Sequence, residues 1–324
     1  MLHKIVYCFS GQGSQYYQMG KELYTENSHF RFWMDHLDEM VQSLIHESVL
    51  ATLYHERSKI SDLFDRTLIT HPAIFMFEYS LYQVFIEKGY YPDLLLGVSL
   101  GEFTSAAIAG ILSYEDALKL VVLHAQVIEE KCTKGGMLAI LSNLPMFDEI
   151  KVSCPDIEMA SINSGGHFVI SGKMNSLQSI DRELKTQNIV SQILPVSYAF
   201  HSHYIDEAAP RFKEILGSYQ FNNPTIPYIS SWKTAEVNTA DISADFFWNV
   251  GHGVIQLKDT IEKMETTSPY LYVDLGPSGT IVNLIRQNLK PTSGSVLQPS
   301  LSPFGRDNVT LNKALDMIKK MNVE

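Results

Sequence analysis

Apolar positions along the chain fall into short unbroken runs and longer periodic stretches. The runs Ile5 to Phe9 and Leu94 to Val98 end in glycine and serine, and each reads as a strand buried on both faces. A helix is expected from about Tyr16, after the first glycine turn. From Thr70 a capping threonine, Pro72 in the first turn, an apolar stretch through Phe85 and Gly89 as a stop predict a second helix. Leu100 to Ile111, rich in alanine, predicts a helix beginning directly after Ser99. Ser113, with Asp116 three residues on, opens another, whose apolar positions Leu118, Val121, Val122 and Ile128 keep a helical period up to Lys131.

The pattern changes at Gly135-Gly136. Strand Met137 to Leu141, helix Met146 to Ser153, strand Glu158 to Ile162, strand His167 to Ser171, amphipathic helix Leu177 to Gln187 and strand Val190 to Val196 follow in turn. That order, βαββαβ, is the order of a ferredoxin-like unit. It divides an α/β protein into a larger domain, residues 1–132 and 199–324, and a small inserted domain, residues 133–198. A helix from about His203, strands at Ile226 to Ser230 and Tyr270 to Leu275, and helices near Ile281 and Asn308 complete the larger part.

Composition narrows the function classes. Twenty-five basic against 36 acidic residues give a net charge of −11, which repels nucleic acid and anionic membranes. The three cysteines, Cys8, Cys132 and Cys154, are scattered without a C-x-x-C spacing, so no disulfide framework or cysteine metal site is expected. The first ten residues hold an apolar run too short for a signal peptide, and no run reaches the eighteen or so apolar residues of a membrane span. A cytoplasmic setting is expected.

The chemistry concentrates at Gly97-Val98-Ser99-Leu100-Gly101. In G-x-S-x-G the glycines permit a sharp strand-to-helix turn that lifts the serine hydroxyl above the sheet edge, and the N–H of Leu100 is placed to bind an oxyanion. A serine needs a base to take its proton. His201 and His203, in Phe200-His201-Ser202-His203, stand at the end of the inserted unit, where clefts form between domains. No acid occupies the usual hydrolase slot between Ser99 and His201, so a backbone carbonyl is expected to orient the imidazole. His-x-His as a metal pair is the weaker reading without a third ligand nearby. Gly11-Gln12-Gly13-Ser14-Gln15 fails as a dinucleotide fingerprint, because Tyr16 stands where the third glycine belongs. The same turn can offer the N–H of Gln12 to an oxyanion.

Together these segments, with Gly276-Pro277-Ser278, resemble the malonyl-CoA:acyl-carrier-protein transacylase family, which includes polyketide synthase acyltransferase domains. The resemblance covers nearly the whole chain. It implies an α/β-hydrolase-like large domain with a ferredoxin-like insertion, Ser99 as the acylated nucleophile and His201 as the general base. Gln12 and Leu100 would supply the oxyanion N–H groups, and the carbonyl orienting the histidine would fall at about Asn249. Asn163 takes the family's asparagine slot, and Val98 and Phe200 flank the substrate.

Two departures stand out. Malonyl-transferring relatives grip the free carboxylate with an arginine twenty-five residues after the nucleophile, and that position is His124; the residue before the nucleophile, usually histidine, is Val98. Arginine offers a charged bidentate fork, whereas histidine is mostly neutral at pH 7. A buried carboxylate left without its partner costs on the order of 3–5 kcal/mol. Uncharged short acyl groups lose nothing. The chain thus resembles the free-standing members of trans-acyltransferase polyketide pathways, those of bacillaene-type assembly lines among them, that lack this arginine and act as proofreading acyl hydrolases. That implies water attacking the acyl-serine and releasing short chains from acyl carrier proteins. The alternative is a transacylase that loads carrier domains from malonyl- or acyl-CoA. Either way the substrate arrives on phosphopantetheine or CoA, and no bound cofactor or metal is expected.

Overall fold

The computed structural model describes residues 3–323, so Met1, Leu2 and Glu324 lie outside the description. Two sheets organise the chain. In chain order the strands are β1 (Lys4–Phe9), β2 (Leu94–Gly97), β3 (Gly136–Ile140), β4 (Glu158–Ser164), β5 (His167–Gly172), β6 (Ser191–Ile193), β7 (Tyr228–Ser230), β8 (Ala235–Glu236), β9 (Tyr270–Asp274) and β10 (Val296–Pro299).

The larger sheet has the order β10-β9-β1-β2-β7-β8 and is parallel except for the antiparallel pair β7 and β8. Its central strands read as unbroken apolar runs because helices cover both faces. Tyr7, Phe9 and Leu95 pack into one apolar cluster, and Val6, Cys8 and Leu96, alternating with them, pack into another. The second sheet has the order β4-β5-β3-β6, all antiparallel, with the helices Pro145–Ser153 and Met174–Thr186 sharing its own core of Leu138, Ile140, Phe168, Ile170 and Leu177. This is the ferredoxin-like topology, and the whole is an α/β-hydrolase-like large domain carrying that small one.

Several elements depart from the sequence reading. The helix expected from Thr70 starts earlier and spans Thr67–Glu87, with Pro72 inside it rather than in its first turn. The N–H of Leu68 is held by the Glu129 carboxylate at 2.9 Å, which secures a start ahead of the proline. The stretch after the first glycine turn runs as turns until the helices Lys21–Glu26 and Ser28–Ile45 begin. His203–Ala208 is a 3₁₀ turn leading into the helix Ala209–Leu216. Strands β8 and β10 and the helices Val49–Leu53, Ala244–His252 and Leu257–Met264 were not anticipated. No helix among the described residues is long and apolar enough to cross a membrane.

Candidate active site

β2 ends at Gly97, and the helix Gly101–Ile108 begins four residues later. Such an abrupt reversal forces Ser99 into the left-handed region, at φ 53°. The flanking residues have to be glycine. A Cβ on Gly97 would lie 2.7 Å from the Glu102 Cα, and one on Gly101 would lie 2.3 Å from the Phe9 carbonyl oxygen. Gly11 is similarly confined, since its Cβ would meet the Ser99 Cβ at 2.7 Å. The two glycine turns therefore touch, and the small residues let them.

The turn is braced from below. Glu102, fully buried, accepts hydrogen bonds from the Tyr228 hydroxyl at 2.5 Å, the Ser231 hydroxyl and the Trp232 N–H. Burial pushes its carboxyl up to about 7. Glu78 holds the N–H and the hydroxyl of Ser10, ahead of the first glycine turn, and burial pushes it up to about 8.

Ser99 Oγ and His201 Nε2 lie 2.8 Å apart, within hydrogen-bond reach. His201 is also left-handed, at φ 59°, and its N–H donates to the Gly251 carbonyl at 3.0 Å. Its Nδ1 faces the Gly253 carbonyl at 2.7 Å. This corrects the expectation placed at Asn249. The Asn249 carbonyl is spent on the Gly253 N–H, 2.7 Å away, in closing the helix Ala244–His252, and the carbonyl free to meet the imidazole is the one just past the helix. Gly253 is itself locked, because a Cβ there would meet the Trp232 indole nitrogen at 1.9 Å. The carbonyl fixes the tautomer, with Nδ1–H donating and Nε2 left to accept the serine proton. Burial lowers the His201 pKa to about 4, so the ring is neutral and competent as a base at pH 7.

A cavity of about 380 Å³ opens over this pair, between the mouth of the large sheet and one face of the small one. Gln12, Val98, Leu100, His124, Asn163 and Phe200 all line it with Ser99 and His201; Asn249 does not. Among the described residues the backbone N–H groups of Gln12 and Leu100 make no hydrogen bond, and both stand beside the serine, as an oxyanion pair requires. Asn163 is tied down, its side-chain oxygen accepting from the Ser161 hydroxyl and its carbonyl from Asn288, each at 2.7 Å. His203 points elsewhere, half-exposed and paired with Glu158 on the surface.

His124 is 3% exposed on the helix Tyr114–Lys131, packed against Phe212, and burial lowers its pKa to about 4. No lysine, arginine, aspartate or glutamate lines the cavity among the described residues, and its titratable groups are four histidines, His71, His124, His167 and His201. Each is pushed toward the neutral form by burial. His71, His167, Gln192 and Gly253 were not found from the sequence, which offers no periodic or motif signal at any of them.

The acyl transferase domain family matches residues 6–323. The chain belongs to that family. It is 42% identical, over 98% of both chains, to the polyketide biosynthesis acyltransferase homolog BaeD of Bacillus velezensis. It is 40% identical, over 96% of both chains, to the homolog PksD of Bacillus subtilis. Among solved structures, the acyltransferase domain of SpnD superposes with a TM-score of 0.88 at 22% identity, over 99% of this chain and 77% of that one. The malonyl CoA-acyl carrier protein transacylase from Clostridium perfringens superposes with a TM-score of 0.80 at 24% identity, over 99% and 98%. At such identities these two speak for the shared fold. Within this acyltransferase family the chain combines a serine and histidine at hydrogen-bond distance with a cavity free of permanent charge.

Proposed function

We propose that the protein is an acyl-serine enzyme of polyketide biosynthesis that removes short, uncharged acyl chains from acyl carrier protein thioesters by hydrolysis. One observation carries the choice of acyl group: the cavity beside Ser99 offers a substrate carboxylate no cation, and His124 at the clamp position is held neutral. A malonyl tail would lose its hydration there without a partner, whereas acetyl, propionyl or butyryl would bury only hydrocarbon.

The chemistry runs in two halves. Ser99 Oγ attacks the thioester carbonyl while His201 Nε2 takes the hydroxyl proton, and the Gln12 and Leu100 N–H groups hold the oxyanion. The C–S bond breaks, His201 returns the proton to the departing thiol of the phosphopantetheine arm, and an acyl-serine remains. A water then gives a proton to His201 and its oxygen to the carbonyl. The C–Oγ bond breaks and the proton passes back to Ser99, leaving a free carboxylic acid. The cavity has room for a short acyl chain and water together. The phosphopantetheine belongs to the substrate, and the carrier protein is the partner this reading requires.

Intact-protein mass spectrometry, after mixing the enzyme with acetyl, butyryl and malonyl carrier thioesters, tests it. The expected result is a Ser99 adduct with acetyl and butyryl that decays to free acid, little malonyl adduct, and none in Ser99→Ala. In His124→Arg the malonyl to acetyl ratio rises by about tenfold or more. A malonyl adduct that forms readily on the unaltered enzyme and passes to a second carrier would establish a loading transacylase instead.

A further inference from the structure

The catalytic chemistry uses one of the four cavity histidines. Two others, His71 and His124, stack with ring planes 14° apart and centroids 5.4 Å apart. They are 1% and 3% exposed, and Nδ1 of each has no hydrogen-bond partner among the described residues. Their surroundings are otherwise aromatic, with Phe200 5.4 Å from His71, Phe212 4.6 Å from His124, and Phe103 beyond. The Val121 carbonyl is the one polar group that favours a charged His71, against burial and the neighbouring ring. The pair is close to the reaction. A Cβ on Gly251, whose carbonyl holds the His201 N–H, would touch His124 Cε1 and Nε2 at 3.2 and 3.3 Å.

A saturated chain explains the aromatic wall but leaves Nδ1 of both imidazoles without a partner in a buried chamber, which is costly. A carboxylate would meet two neutral rings and no cation. A neutral imidazole carries one N–H and one lone pair. With the Val121 carbonyl drawing the His71 N–H, Nδ1 of His71 offers a lone pair and Nδ1 of His124 can offer the N–H, and the group that matches an acceptor and a donor together is a hydroxyl. A keto oxygen only accepts.

We propose that the acyl chain selected by this chamber carries a hydroxyl group, which His71 and His124 receive between them a few carbons from the serine ester, as in a 3-hydroxyacyl thioester. The inference rests on the acyl-serine reading and names its substrate class. His71 and His124 then act as specificity residues and take no part in moving the serine proton.

The test compares pantetheine thioesters of 3-hydroxybutyrate, in both enantiomers, with those of 3-methylbutyrate, which has the same shape but no hydroxyl, and of butyrate. Thiol release gives kcat/KM for each. The unaltered enzyme is expected to favour the better 3-hydroxybutyryl enantiomer over 3-methylbutyryl by about tenfold, the effect of one net hydrogen bond. In His71→Phe and in His124→Phe that ratio is expected to fall toward one. A ratio of one or less in the unaltered enzyme overturns the inference while butyryl turnover leaves the serine chemistry standing. A high ratio that both variants retain also overturns it. Should the variants not fold by circular dichroism, the ratio in the unaltered enzyme decides alone. No turnover of any of the thioesters would defeat the function beneath the inference as well.

Discussion

His201 is where single-residue chemistry is most constrained. Its backbone is held by the Gly251 carbonyl, its Nδ1 by the Gly253 carbonyl and its Nε2 by the Ser99 hydroxyl, so the ring has one orientation and one tautomer. The same enclosure strips water from the imidazolium, and burial takes the pKa from 6.5 to about 4. In the proposed mechanism only the neutral ring accepts the Ser99 proton, so activity is expected to be lost as pH falls through the free-enzyme value and to be present above it. The acid limb of kcat/KM for an uncharged thioester is therefore expected near pH 4, with most activity retained at pH 5. A limb at 6.5 would mean that the imidazole is as hydrated as an exposed histidine.

At the scale of elements, the strand, glycine turn and helix around Ser99 behave as one rigid piece, and its glycines test that. Gly101→Ala sets a methyl 2.3 Å from the Phe9 carbonyl oxygen, a backbone atom fixed in the centre of the sheet. The expected loss is about 3 kcal/mol, read as a lower urea midpoint together with lower acylation of Ser99. Gly166→Ala, in the hairpin between β4 and β5 with nothing within 4 Å, should be close to neutral and serves as the control. This strand-to-helix piece was legible in the sequence because a short apolar run, flanking glycines and an alanine-rich stretch all coincide there. The βαββαβ order was legible because each of its elements shows its own period. The hydrophobic pattern places the start of the helix Thr67–Glu87 three residues late, since the helix is buried on nearly every side and shows no polar face to mark its start. Gly253 was invisible for another reason: which carbonyl meets His201 depends on where a helix closes, and hydrophobic pattern does not record that. His71 escaped because a histidine in an apolar helix carries no sign of the ring stacked on it from another helix.

The whole molecule carries ionisable groups in its interior in two opposing sets. The four cavity histidines are pushed down from 6.5, so between the lowered values and about 6.5 the unfolded chain binds more protons than the folded one, and their contribution to stability grows with pH. The buried glutamates run the other way. Glu78 and Glu102 release their protons near 4.5 when unfolded but near 8 and 7 in the fold, so the folded chain binds more protons across that interval and stability falls as pH rises. Above pH 6.5 the histidine contribution is complete and the glutamate loss continues. The melting temperature is therefore expected to fall between pH 6.5 and 8.5. In Glu78→Gln, a neutral side chain of the same shape as the protonated acid, the decline should flatten. Glu78 accepts hydrogen bonds from the N–H and hydroxyl of Ser10, behind the turn that carries Gln12, and these favour the ionised carboxylate, so burial is what makes the ionisation costly. Calorimetric melts at several pH values measure this, and a melting temperature that climbs through the interval would mean that Glu78 is already ionised inside the folded protein.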